Sequence, residues 1–216
     1  MEQKKVLCFT PSHNRHKMLR GCIRDVASQT YHNIVHAVNI AYDKDEDIRY
    51  FPRMYDDLQT DNLFISYNLN VHNHFNYLNA IKACPNFLDF DLYIKIDDDD
   101  MYKSGYVEAI VSQFQDDITT TKVKYYLNGH RLSAGLHDNF GANTEGTNYH
   151  MPMTLAFNRK ALFSILNIEE AKTWSDLLWR RKWTEDGLHH HEINNRENIV
   201  WYVHGENIST SSFLKK

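Results

Sequence analysis

Glycine is scarce in this chain, with only eight among 216 residues, and none of the glycine-built ligand loops is present. There is no G-x-G-x-x-G for a dinucleotide, no G-x-x-x-x-G-K-[ST] for a nucleoside triphosphate and no G-x-S-x-G nucleophile elbow. A zincin is excluded as well: after His191-Glu192 the second ligand position falls on Asn195, and the adjacent His189 and His190 do not restore the spacing. Cysteine is equally sparse. Cys8, Cys22 and Cys84 are odd in number and lack metal-type spacing, so they read as small core hydrophobes in a reducing compartment. No stretch approaches the roughly 20 apolar residues of a membrane span. The apolar stretch Val6 to Phe9 behind the opening Met1 to Lys5 is too short for a signal peptide. A cytoplasmic location is therefore expected. A net charge of -4 gives no reason to expect nucleic acid as a partner. What remains is a globular composition, 42% hydrophobic and 24% charged, with enough length to bury a substantial core.

Strand and helix patterns alternate along the first half. Residues 5–10 predict a short apolar strand closed by Pro11, and Asn14 is a candidate cap for a helix beginning near Arg15. Met18, Leu19, Cys22, Ile23, Val26 and Ala27 recur at helical spacing on one face. Further strands are expected at 34–41, at Leu63 to Tyr67 and at 91–96, with helices at about 74–83 and from Tyr106 to Phe114. This order argues for an α/β fold with a mostly parallel central sheet covered by helices on both faces. Beyond residue 120, strands are expected at Lys122 to Leu127, Met151 to Phe157 and Ile199 to Val203, and helices near 159–167 and 174–193. Residues 129–150 are polar and without periodicity. With no repeat or linker, one domain over 1–216 is expected, its first half (1–115) nucleotide-binding and its second (116–216) carrying the acceptor side.

The most informative segment is Asp97 to Asp100, which follows directly on the apolar run Leu92 to Ile96. Carboxylates this close repel one another and raise each other's pKa unless a cation or donors take up the charge. A hard divalent ion bound through oxygen is the natural remedy, since Mg²⁺ and Mn²⁺ favour carboxylate, water and phosphate oxygens. The competing reading, a solvated acidic turn, suits a polar loop better than the end of a strand. Ligands of open parallel sheets sit beyond the carboxyl ends of the strands. Thr10 to Arg15, Asn39 to Asp43 and Asp97 to Asp100 all meet that condition, and Glu185-Asp186 and His204 to Asn207 are two later polar groups.

In this order the motifs resemble family 2 glycosyltransferases of the GT-A fold. The resemblance starts at Thr10-Pro11-Ser12-His13-Asn14-Arg15, with Leu19, Ile23 and Val26, and continues through Gln29 to Asn33 and Asn76 to Ala80. Asp97 to Asp100 is similar to the family's D-x-D-D, Thr184-Glu185-Asp186 to its E-D element, and Val203 to Ser209 to the stretch with a late metal-binding histidine. One departure is Asn39 to Asp43, where the family carries a D-D-G-S type segment touching the nucleobase.

The resemblance implies a metal-dependent inverting glycosyltransferase of hexosyltransferase type. The donor would be a nucleotide-sugar, with UDP-sugar as first choice, and the acceptor a saccharide or lipid-linked saccharide in surface polysaccharide synthesis. Asp99 would ligate Mn²⁺ or Mg²⁺, with Asp97 on the ribose or a metal-bound water and Asp98 on the opposite face of the segment. His204 stands where the family's last metal ligand is, or is a hydrogen-bonded histidine at a strand end. Asp186 would be the catalytic base that takes the acceptor hydroxyl's proton. The acids at Glu185-Asp186 also read as a helix N-terminus. Thr10, Pro11, Asn14, Arg15, Asn39 and Asn79 complete the donor-binding set. Trp174, Trp179 and Trp183 are expected in the core. Homo-oligomerisation stays open, and the tail Phe213 to Lys216 allows at most peripheral membrane contact. A sugar nucleotidyltransferase is disfavoured because Thr10 to Arg15 contains no glycine. A non-catalytic nucleotide- or saccharide-binding protein of the same fold is the alternative.

Overall fold

A computed structural model describes residues 3–43, 48–49, 51–69, 73–115, 117–121, 124–127, 130–131, 155–168, 175–193, 195 and 197–203. Its centre is β1 (Val6–His13), paired in parallel on one side with β2 (Ile34–Tyr42) and on the other with β4 (Leu92–Lys95). The strand β3 (Leu63–Leu69) extends the sheet beyond β2. On the far side of β4 lies β9 (Ala156–Asn158), which runs antiparallel to β4 and to β6 (Ile118–Thr121), and β10 (His190–Ile193) pairs in parallel with β6. The order is β10-β6-β9-β4-β1-β2-β3. The expected α/β class with a mostly parallel sheet is thus observed, β9 being the reversed strand among those described. A second sheet not foreseen from the sequence joins β5 (Met101–Tyr102), β11 (Ile199–Val203), β7 (Lys124–Leu127) and β8 (His130–Arg131).

Alternation along β1 builds two cores at once. Val6 and Cys8 point to the face that holds Cys22 and Val26 of α1 (His16–Ala27) and Ile110 of α3 (Tyr106–Gln113). Leu7 and Phe9 point to the other face. There Leu78 and Ile81 of α2 (Asn73–Lys82), Leu162 and Ile165 of α4 (Arg159–Leu166) and Trp179 and Trp183 of α5 (Ser175–Glu185) pack against Tyr93 and Phe157. Trp179 and Trp183 are core residues, as expected. The three cysteines are buried and free. Among the described residues no helix is long and apolar enough to cross a membrane.

Three expectations are corrected. The first strand does not close at Pro11 but runs on to His13. Its pairing with β4 ends at Phe9 opposite Lys95, so Pro11 lies where β1 is hydrogen-bonded in register to β2 alone, and its missing N–H interrupts no ladder. The helix predicted over 174–193 stops at Glu185. Gly187 takes φ 67, Leu188 N–H bonds back to Trp183 O, and His190 to Ile193 pair with β6 as a strand. Glu185 and Asp186 therefore stand at a helix C-terminus, where the macrodipole disfavours acids, and not at the expected N-terminus. The strand expected at Lys122 to Leu127 is observed as β7, in the second sheet.

Candidate active site

The carboxyl ends of β1 and β4 bring Ser12 and Arg15 against the four aspartates. Asn14 occupies the left-handed region at φ 54, a conformation asparagine tolerates, and this reverses the chain into α1. It does not cap the helix as expected: no side chain caps α1, and Asn14 Nδ2 instead donates to Asp43 Oδ2 at 2.8 Å. His13 Nε2 meets the other oxygen of Asp43 at 2.9 Å. The group formed by His13, Asn14 and Asp43 is solvent-exposed beside the site.

Each of the first three aspartates meets a cation within the protein. Asp97 accepts from Lys95 Nζ at 2.8 and 2.9 Å, and its N–H donates to the Tyr102 hydroxyl at 2.9 Å. Asp98, with no exposed side-chain surface, accepts from Ser12 Oγ at 2.6 Å and pairs with Arg15 Nη2 at 2.6 Å. Asp99 pairs with Arg15 Nη1. Asp100 is buried. Burial raises the Asp98 carboxyl to about 7; Arg15 and Ser12 oppose this, while Asp99 and Asp97 add to it. Burial also raises Asp97, with Lys95 as the main opposing influence. For Arg15, burial works against the charge, but the carboxylates of Asp98, Asp99 and Asp97 outweigh it and hold the guanidinium firmly protonated.

Behind these carboxylates runs a buried amide chain. Ser66 Oγ donates to Asn39 Oδ1 at 2.7 Å, Asn39 Nδ2 donates to Asn76 Oδ1 at 2.7 Å, and Asn76 Nδ2 donates to Ser12 O at 3.2 Å. Three strands and α2 are thereby tied to the residue that holds Asp98. The structure corrects the roles expected of Thr10, Pro11 and Asn39 in this light. Thr10 and Asn39 have no exposed surface, and Pro11 is buried in β1. The Thr10 hydroxyl is 2.9 Å from His36 Nε2 and also meets Cys22 Sγ. Thr10, Pro11 and Asn39 thus lie beneath the site with no open face. Asn79 is half-buried one turn beyond Asn76 on α2.

Asp186 is not brought to the aspartates. Helix α5 passes Trp179 beside Phe9, then Trp183 against Phe157 with its Nε1 on Ala161 O at 2.8 Å. It thus descends from the carboxyl ends of the strands toward their amino ends. The turn after it leads to His189, whose carbonyl accepts from Asp117 and Ile118 at the start of β6. There Asp186 accepts from Ser164 Oγ at 2.5 Å and pairs with Lys182, contacts that hold its pKa down. The first turn of α5, at the other end of the helix, contains Asp176. His204, the expected late metal ligand, lies outside the described residues, as do Trp174 and the polar segment 132–150.

Two residues of this constellation were missed from sequence. Lys95 is buried in β4 with its ammonium on Asp97 and 5.0 Å from the centre of the Tyr77 ring. A lysine inside an apolar strand and two places before an aspartate was the available signal, because a buried lysine is nearly always paired. Ser12 was seen only as part of a motif.

Among the described residues, no three His, Cys, Asp or Glu side chains converge as a ready metal cage. The donor chemistry still fits a hard divalent ion of the kind bound by one or two carboxylates, with phosphate and water completing the shell. Asp97 and Asp99 keep 19% and 11% of their side chains exposed, whereas Asp98 keeps none and is excluded as a ligand.

No family model and no curated protein matches the chain. Solved structures do. S. aureus TarS residues 1–349, determined with UDP-GlcNAc, superposes with a TM-score of 0.65 at 16% identity, covering 96% of this chain and 61% of TarS 1–349. The mannosyltransferase PcManGT from Pyrobaculum calidifontis, determined with GDP-Man and Mn²⁺, gives 0.66 at 12% identity, covering 100% of this chain and 66% of its own. The chain thus spans about three-fifths of the length of the TarS fragment it matches. Its fold is that of the GT-A-like glycosyltransferases.

Proposed function

We propose that this protein is a metal-assisted glycosyltransferase that moves a sugar from a nucleotide-sugar, with a UDP-sugar as first choice, to a saccharide or lipid-linked saccharide with inversion. The observation that carries this reading is the meeting of Asp97, Asp99 and Arg15 at the carboxyl end of β4, within a fold whose solved likenesses hold UDP-GlcNAc and GDP-Man. A bound Mn²⁺ or Mg²⁺ would supply Lewis-acid stabilisation of the diphosphate leaving group. Asp97 and Asp99 would hold that ion, and Arg15 would add a cation fork suited to phosphate oxygens. Inverting transfer needs a carboxylate that accepts the acceptor hydroxyl's proton. Since α5 descends away from the site, we assign that role to its first turn, at Asp176, in place of Asp186.

A thermal-shift screen of UDP, GDP and dTDP with and without Mn²⁺ tests the donor class. Stabilisation by one base, and only with metal, is the expected result; no response to any nucleoside diphosphate would sink the reading. The second reading, a binding protein without turnover, draws on the distance of Asp186 from the aspartates. It predicts metal-dependent nucleotide binding with no donor hydrolysis in a coupled UDP-release assay.

A further inference from the structure

We propose that Arg15 is a resident counter-cation that keeps a divalent metal off Asp99 until a diphosphate draws the guanidinium away. This rests on the donor reading above and names how metal and donor binding are linked. The guanidinium does not grip one carboxylate with its fork. It spans two, with Nη2 on Asp98 and Nη1 on Asp99. The two halves of that bridge differ. Asp98 is fully enclosed and is also held by Ser12, whereas Asp99 keeps exposed surface. The root of Arg15 is fixed, because its carbonyl accepts the Leu19 N–H in the first turn of α1. Its side chain keeps 21% of its surface exposed, so the tip can turn outward without disturbing the helix.

Electrostatics then sets the order of events. With Arg15 in place, a divalent ion at Asp99 would sit beside a fixed positive charge and share Asp99 and Asp97 with two cations, Arg15 and Lys95. A diphosphate offers the planar guanidinium fork paired anionic oxygens that it can grip bidentately, a better match than two separate carboxylates. Moving Arg15 onto phosphate takes its positive charge away from Asp99, and the metal that Asp99 then ligates is bound with the help of the same phosphates. Metal and donor therefore favour each other's binding, and by linkage the effect is reciprocal.

The test is a manganese titration of the full chain, following the EPR signal of the free hexaaqua ion at low salt, with and without UDP or GDP. Without nucleotide, Arg15→Met is expected to bind Mn²⁺ at least about tenfold more tightly than the wild type, the effect of removing one charge a few ångströms from a divalent ion. Adding Asp99→Asn to that variant should remove the gain. If Arg15→Met leaves the buried Asp98 charge uncompensated and does not fold, Arg15→Met/Asp98→Asn is compared with Asp98→Asn alone, and the same gain is expected between those two. Equal manganese affinity in a folded Arg15→Met protein and in the parent that differs from it only at Arg15, without nucleotide, overturns the counter-cation. A tighter variant alongside a wild type whose manganese affinity neither UDP nor GDP changes refutes the donor reading instead and leaves the counter-cation standing.

Discussion

Asp186 accepts a 2.5 Å hydrogen bond from Ser164, and the turn that carries it leads into the amino end of the sheet, away from Asp99. Its carboxylate is committed to Ser164 and Lys182. Asp186→Asn is therefore expected to change kcat by less than about tenfold, short of the range for losing a general base. Asp176→Asn is expected to lower kcat by about 10²- to 10⁴-fold with donor binding retained. Steady-state kinetics of both variants checks the assignment, and the reverse pattern would return the base to Asp186.

Two buried titratable groups should give stability opposite slopes with pH. Burial holds His36 at about 3, below its ordinary 6.5, so the unfolded chain takes up a proton that the folded chain refuses. His36 thus costs stability as pH falls from about 6.5. Asp98 is held at about 7, above its ordinary 3.8, so the folded chain keeps a proton that the unfolded chain releases. Asp98 thus costs stability as pH rises from about 4 to about 7. Melting temperatures between about pH 4 and pH 8 should show His36→Asn gaining on the wild type toward acid and Asp98→Asn gaining toward neutral. Curves parallel to the wild type would contradict both.

Asn39 joins Ser66 to Asn76 with no exposed surface of its own. Asn39→Ala strands the buried Asn76 amide oxygen, which should cost about 1–3 kcal/mol in urea unfolding. The same variant is expected to keep the wild-type preference among UDP, GDP and dTDP in the thermal-shift screen. A changed preference would place Asn39 against the nucleobase, where the structure gives it no open face.

Much of the fold was legible because its signals are local. The 3.6-residue spacing of Leu19, Cys22, Ile23 and Val26 and the alternation in β1 report burial on one or both faces within a few residues of chain. The end of β4 in four aspartates was readable for the same reason. Strand β10 was not, since its His and Glu residues carry no apolar period and their strand state follows from pairing with β6. The run of β1 through Pro11 likewise depends on where β4 stops pairing.

By itself the amino-acid sequence determined that carboxylates cluster at the end of a buried strand, and hence that positive charge must meet them. Only the tertiary structure decided which charge it is. Arg15 and Asp99 stand 84 residues apart, and Lys95 becomes a partner of Asp97 because the strand that carries it is buried between β1 and β9. The direction in which α5 crosses the sheet was also a tertiary decision, set by Trp179 and Trp183 packing along Phe9 and Phe157. Periodicity records whether a residue is buried, and the direction in which a helix crosses a sheet depends on contacts that no local pattern contains.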